Sequence, residues 1–161
     1  MKRYKWIIIL LNLVGLLCFL NFSMLKKEGL LTDGKLVLIA LAPVDPRSLM
    51  QGDYMTLSYE IAQGEEMDSI SKRGFCVVKV DEQGIAQRQR LQEYKTPLYA
   101  DEYLIVYTAD KWRLNIGAES YFFQEGEAEK YEKAEYGGLM VDQNGNSVLV
   151  GLYDENRKKI E

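Results

Sequence analysis

The chain has 161 residues, 24 of them acidic and 20 basic, for a formal net charge of −4, enough length for one modest domain with its own core. It contains no histidine, which excludes Ser-His-Asp and Cys-His catalysis and removes the commonest metal ligand. All 24 acidic residues lie from Glu28 onward, against 15 of the 20 basic ones, so that portion carries −9, and an acidic surface argues against a nucleic-acid partner.

Residues 6–25 are almost uniformly apolar and carry no charge. Twenty residues of helix rise about 30 Å, enough to cross a hydrocarbon core. The run ends N-F-S-M-L-K-K, without the small-residue pattern of a signal cleavage site, so an uncleaved anchor is expected, with residues 6–25 in the lipid bilayer. Three basic side chains precede the run and two follow it. That bias places the N-terminus in the cytoplasm and the rest outside it, in the cell envelope. The organisation read from this pattern is a cytoplasmic flank and anchor at 1–27, a short linker at 28–34 and an extracytoplasmic domain at 35–161.

Residues 35–41 are nearly continuously apolar with a β-branched centre, the pattern of a strand buried on both faces. Residues 42–53 follow, the densest turn chemistry in the chain. Asp45 can cap a turn that Pro46 starts, Leu49 and Met50 supply an apolar plug, and Gly52 permits a second turn. Met55, Leu57, Tyr59 and Ile61 then alternate with polar residues, which predicts a half-buried strand with that set inward and Tyr54 facing the other way.

Residues 74–80 and 85–91 flank Asp81-Glu82-Gln83-Gly84, a hairpin signal, and the polar middle of the second arm marks an edge strand with Ile85, Gln87, Gln89 and Leu91 on one face. A further strand is expected at 102–109, turning at Asp110-Lys111 into residues 112–116. Residues 126–134 read as one short helix that Gly137 would cap, and Asn144-Gly145 marks a last hairpin before a charged tail expected to fray. Cys76 in a strand reads as a small apolar residue and Cys18 lies in the apolar run, so no disulfide is expected. The sum is a mainly β domain, an antiparallel β sandwich or partly closed barrel with one short helix, preceded by one N-terminal transmembrane helix.

Gly52-Asp53-Tyr54-Met55-Thr56-Leu57-Ser58-Tyr59 resembles the signature of the GDYXXLXY protein family, with Gly52, Asp53, Tyr54, Leu57 and Tyr59 on its fixed letters. The approach through Pro43, Pro46 and Leu49, and the later blocks Phe123-Gln124-Glu125-Gly126 and Val150-Gly151-Leu152-Tyr153, are also similar to that family. The resemblance implies a membrane-anchored bacterial protein, found beside or fused to multi-spanning membrane proteins, with no established reaction. A looser similarity to bacterial signal peptidases puts Val44 where the nucleophilic serine would stand, and a valine cannot attack a carbonyl.

Asp45, Arg47, Asp53 and Tyr54 are the candidate binding residues: Arg47 can receive a carboxylate or backbone carbonyls, although the two aspartates and the arginine can equally serve the loop itself. Tyr54, Tyr59, Tyr94, Tyr99, Tyr103 and Tyr107 can form a ligand platform or simply pack in strands. No cofactor and no metal are expected. The expected role is a non-enzymatic binding or accessory module for an integral membrane partner. The alternatives are a Ser48/Lys79 hydrolase and a small-ligand module in the barrel mouth.

Overall fold

The computed structural model describes residues 2–42, 54–64, 70–110 and 113–161. The chain begins with α1 (Lys2–Asp33), an apolar helix with a mean hydropathy of 2.3 over its best window, long and apolar enough to cross a membrane. It runs straight through the expected linker at 28–34. Lys27 and Glu28 are good helix formers, and Gly29 is tolerated because the far end is held by tertiary contacts. Leu30 is buried against the β domain, and the Gly34 N–H closes the helix on the Leu30 carbonyl at 3.0 Å. Any Cβ on Gly34 would collide with that carbonyl.

Nine strands follow among the described residues: β1 (Lys35–Ala40), β2 (Tyr54–Thr56), β3 (Arg73–Val80), β4 (Ala86–Gln92), β5 (Glu102–Asp110), β6 (Arg113–Asn115), β7 (Ser120–Phe122), β8 (Tyr136–Val141) and β9 (Ser147–Tyr153). They pair antiparallel in the orders β1-β8-β9, β4-β3-β5-β6 and β2-β7. The pieces join at β1. Leu38 donates to the Gly84 carbonyl at 2.9 Å and bridges to Ile85, which attaches the β3–β4 hairpin, while Leu41 bridges to Tyr59. The result is a curled half-barrel, the partly closed alternative, with Val37, Leu38 and Ile39 buried in succession as the continuous apolar run predicts.

Bulges help bend the sheet. β3 and β4 lose register between Val77 and Val78, so β4 carries an extra residue opposite them, and β8 and β9 do the same at Gly138/Leu139. The first bulge overturns the expected face of β4. Ala86 is buried, Leu91 packs on the core, and Gln87 and Gln89 are exposed, because one inserted residue reverses the alternation beyond it. Arg88 turns inward and donates to the Ile61 carbonyl at 2.9 Å.

Two expectations near the C-terminus also change. The helix shrinks to α2 (Ala128–Tyr131), and Gly137 belongs to β8 rather than to a helix cap. Glu135 accepts from the Leu41 N–H at 2.8 Å and donates to the Tyr153 carbonyl at 2.9 Å, so sheet pairing overrides local helix propensity from Glu135 onward. The tail does not fray. The Asp154 carboxylate accepts from the Asn156 and Lys158 N–H groups, both at 2.9 Å, and Ile160 donates to the Leu152 carbonyl at 2.9 Å.

The segment between β4 and β5 is fastened by Arg90. Its guanidinium grips both Glu102 oxygens, at 2.5 and 2.8 Å, donates to the Pro97 carbonyl at 2.9 Å and lies over the Tyr99 ring. The hydrogen bond from Arg90 holds the Glu102 carboxyl at about 2, well below its ordinary 4.5. A carboxyl depressed in the folded state stabilises above its unfolded pKa and loses that contribution as pH falls through the folded one. Chemical denaturation should therefore show stability dropping between pH 4.5 and about 2, and Glu102→Gln should flatten that part of the profile. An unchanged profile in the variant would remove Glu102 from the acid response.

Candidate functional site

The motif's neighbourhood is set by β1. From Lys35 the strand carries the chain about 23 Å, at about 3.3 Å per residue, to Ala42, where the described backbone breaks off before resuming at Tyr54. Asp45, Arg47 and Asp53, with Pro43, Pro46, Leu49, Gly52 and also Val44 and Ser48, lie outside the described residues. Their two anchor points are fixed. Ala42 donates to the Ser58 carbonyl at 2.8 Å, and Tyr54 starts β2 opposite Phe122 of β7. Both stand at the far end of β1 from α1, so the turn-rich segment enters and leaves at the end of the half-barrel remote from the apolar helix.

The described half of the motif divides into two groups. Met55, Leu57, Tyr59 and Ile61 are all buried, as their alternation predicts, although the strand itself is short and gives way to a 3₁₀ turn at Glu60–Ala62. Leu57 is 2% exposed and its N–H donates to the Glu119 carbonyl at 2.8 Å. Tyr59 is 1% exposed and its hydroxyl donates to the Ala118 carbonyl at 2.7 Å. Burial, reinforced by the charge of Glu119, pushes the pKa of that hydroxyl far above its ordinary value, so it remains a neutral donor.

The Tyr59 ring lies on Gly137, where a Cβ would stand 2.8 Å from the ring. This explains the glycine mid-strand: only a residue without a side chain lets the ring reach its carbonyl partner. Glu119 in turn fixes its own turn, its carboxylate accepting from the Ile116 and Gly117 N–H groups. Glu119 and Gly137 carry structural roles that no local sequence signal announces.

Tyr54 faces outward, as its opposite parity predicts. It is 38% exposed and packs against Phe122, itself 73% exposed, with ring centroids 5.7 Å apart. The two aromatics make a solvent-facing pair at the start of the β2–β7 ribbon, immediately after the undescribed segment. Phe122 is a surface residue that sequence reasoning missed: its cue was an apolar residue at the outward parity of a short strand, which is legible only once the register with Tyr54 is known.

The remaining tyrosines do not gather into one platform. Tyr59 and Tyr107 are buried and Tyr103 is half-buried, while Tyr94 and Tyr99 stand on the segment that Arg90 fastens. Lys79 is exposed on β3 and paired with Asp101 at 2.5 Å. That hydrogen bond holds its ammonium above the ordinary pKa, the opposite of what a lysine general base needs. Burial pushes the Cys76 thiol up to about 12, which leaves it a packing residue in β3. Both cysteines are free, Cys18 being exposed on α1.

A family model described as GDYXXLXY protein matches residues 16–152, from within the apolar helix to the last strand. No curated protein and no solved structure matches the chain.

Proposed function

Because the chain belongs to the GDYXXLXY protein family, whose signature here is split between buried and presented residues, we propose that it is a non-enzymatic accessory protein of the bacterial envelope. It stands on one transmembrane helix, with its N-terminus cytoplasmic. It presents the end of its half-barrel at which Ala42 and Tyr54 stand to the extracytoplasmic part of a multi-spanning membrane protein.

One observation carries the reading. Leu57 and Tyr59 spend their side chains on the core, whereas Tyr54, one position before buried Met55 and three before buried Leu57, joins Phe122 in an exposed aromatic pair directly after the stretch of sequence that holds Asp45, Arg47 and Asp53. Aromatic and arginine side chains on a rigid support are the usual anchors of protein interfaces. Among the described residues β2 and β7 pair only with each other, and the edges of such a two-stranded ribbon are where a partner segment can add. The height of this end above α1 directs it towards a partner's extracytoplasmic portion rather than its membrane-embedded helices.

Photocrosslinkers placed at Arg47, Tyr54 and Phe122 in native membranes test this. The same polytopic protein should be captured from all three positions and not from Tyr94, a tyrosine elsewhere that is more exposed than Tyr54. Capture of lipid and unrelated proteins alone, or equal capture from Tyr94, would count against docking at this end.

A further inference from the structure

The end of the half-barrel nearest α1 holds a second feature that the docking reading does not use. A cavity of about 390 Å³ opens between the last turns of α1 and the strands β5, β6 and β9, within the size range of small-molecule sites. Leu30, Val106, Ile116 and Val148 line it with aliphatic surface, and Lys27 supplies its cation. Val106 is the clearest sign of an unsatisfied wall: an aliphatic residue on a well-formed strand that remains 39% exposed. Asp142 is the acidic group in the lining, and its carboxylate accepts from the Asn144 and Asn146 N–H groups and the Asn146 amide.

The depth of the cavity follows from the helix. Lys27 and Leu30 lie two and five residues past the apolar run that ends at Leu25, about 3 and 8 Å along the axis. The headgroup layer on each side of a hydrocarbon core is about 5–8 Å thick. With α1 across the bilayer, the cavity therefore opens at the level of the phosphates and glycerol esters of the leaflet.

We propose that this cavity is a binding site for a membrane glycerophospholipid. Lys27 meets the phosphate, a lysine at this depth being free to reach along the interface. The glycerol and the upper part of one acyl chain, drawn outward from the leaflet, lie against Leu30, Val106, Ile116 and Val148. Lys27 pairs with the single charge of a phosphodiester, and Asp142 in the same lining disfavours headgroups with further negative charge. The inference rests on α1 spanning the membrane, but not on the docking surface at the opposite end.

The test uses the full-length chain in phosphatidylcholine vesicles containing a phospholipid with a photoreactive group high on one acyl chain. After irradiation, label should map to peptides holding Val106, Ile116 or Val148 as well as to α1. Val148→Trp fills the cavity and should lower label on the β domain about tenfold while leaving label on α1 unchanged. Val106→Trp, on a partly exposed residue, repeats the measurement should the first variant fail to fold. Label on α1 with none above background on the β domain, or β-domain label unchanged in a folded tryptophan variant, overturns the lipid site alone. An unlabelled α1 overturns the membrane reading and this site with it.

Discussion

Tyr59→Ala is expected to destabilise the domain by about 3–5 kcal/mol, the range for removing a fully buried aromatic ring. The residue is 1% exposed, and its ring fills the space that Gly137 leaves open. Tyr59→Phe separates the two contributions. It keeps the ring but leaves the Ala118 carbonyl without its 2.7 Å donor, a loss of about 1–3 kcal/mol.

Gly137→Ala should be destabilising through the opposite error, since its new methyl would stand 2.8 Å from the Tyr59 ring, and overpacking of this kind costs about 1–3 kcal/mol. The two sites therefore couple. In the Tyr59→Ala background the Gly137→Ala change has room, and a double-mutant cycle by urea denaturation should give an interaction term above about 0.5 kcal/mol. Strict additivity would show that the ring and the glycine do not meet as described.

Leu57→Ala should cost about 2–5 kcal/mol, because it empties a site that is 2% exposed beside Met55 and the other core side chains. Tyr54→Ala, three positions away in the same motif, should cost no more than about 1 kcal/mol, the worth of its exposed contact with Phe122. The contrast separates the buried half of the motif from the presented half. Thermal unfolding of the two variants side by side measures it, and crosslinking to the membrane partner should be lost in Tyr54→Ala while the fold survives. Equal destabilisation by both would mean that Tyr54 serves the core, and the exposed pair would lose its standing as an anchor.

Much of this architecture is legible in the amino-acid sequence. The apolar run, the alternation of Met55, Leu57, Tyr59 and Ile61, the outward parity of Tyr54 and the turns at Gly84 and Gly145 all follow from periodicity or from a backbone angle that only certain residues adopt readily. The failures have a common cause. Gly137 looked like a helix cap because the residues before it favour a helix, yet Glu135 and Tyr136 are drawn into pairing with β1 and β9. Simple alternation gives the wrong face for β4 because a bulge inserts one residue, and the charged tail folds back on Leu152 although its composition suggests fraying.

Local features are written in the amino-acid order: a membrane-length helix, a β-rich domain, the sides on which successive strand residues fall, and a motif that ties the chain to its family. The folded arrangement is needed to see which strands pair, that Tyr59 needs Gly137, that Phe122 stands beside Tyr54, and that a cavity forms where α1 meets the half-barrel. Those features join residues far apart in the chain, and such contacts depend on register and packing, which short-range periodicity does not encode.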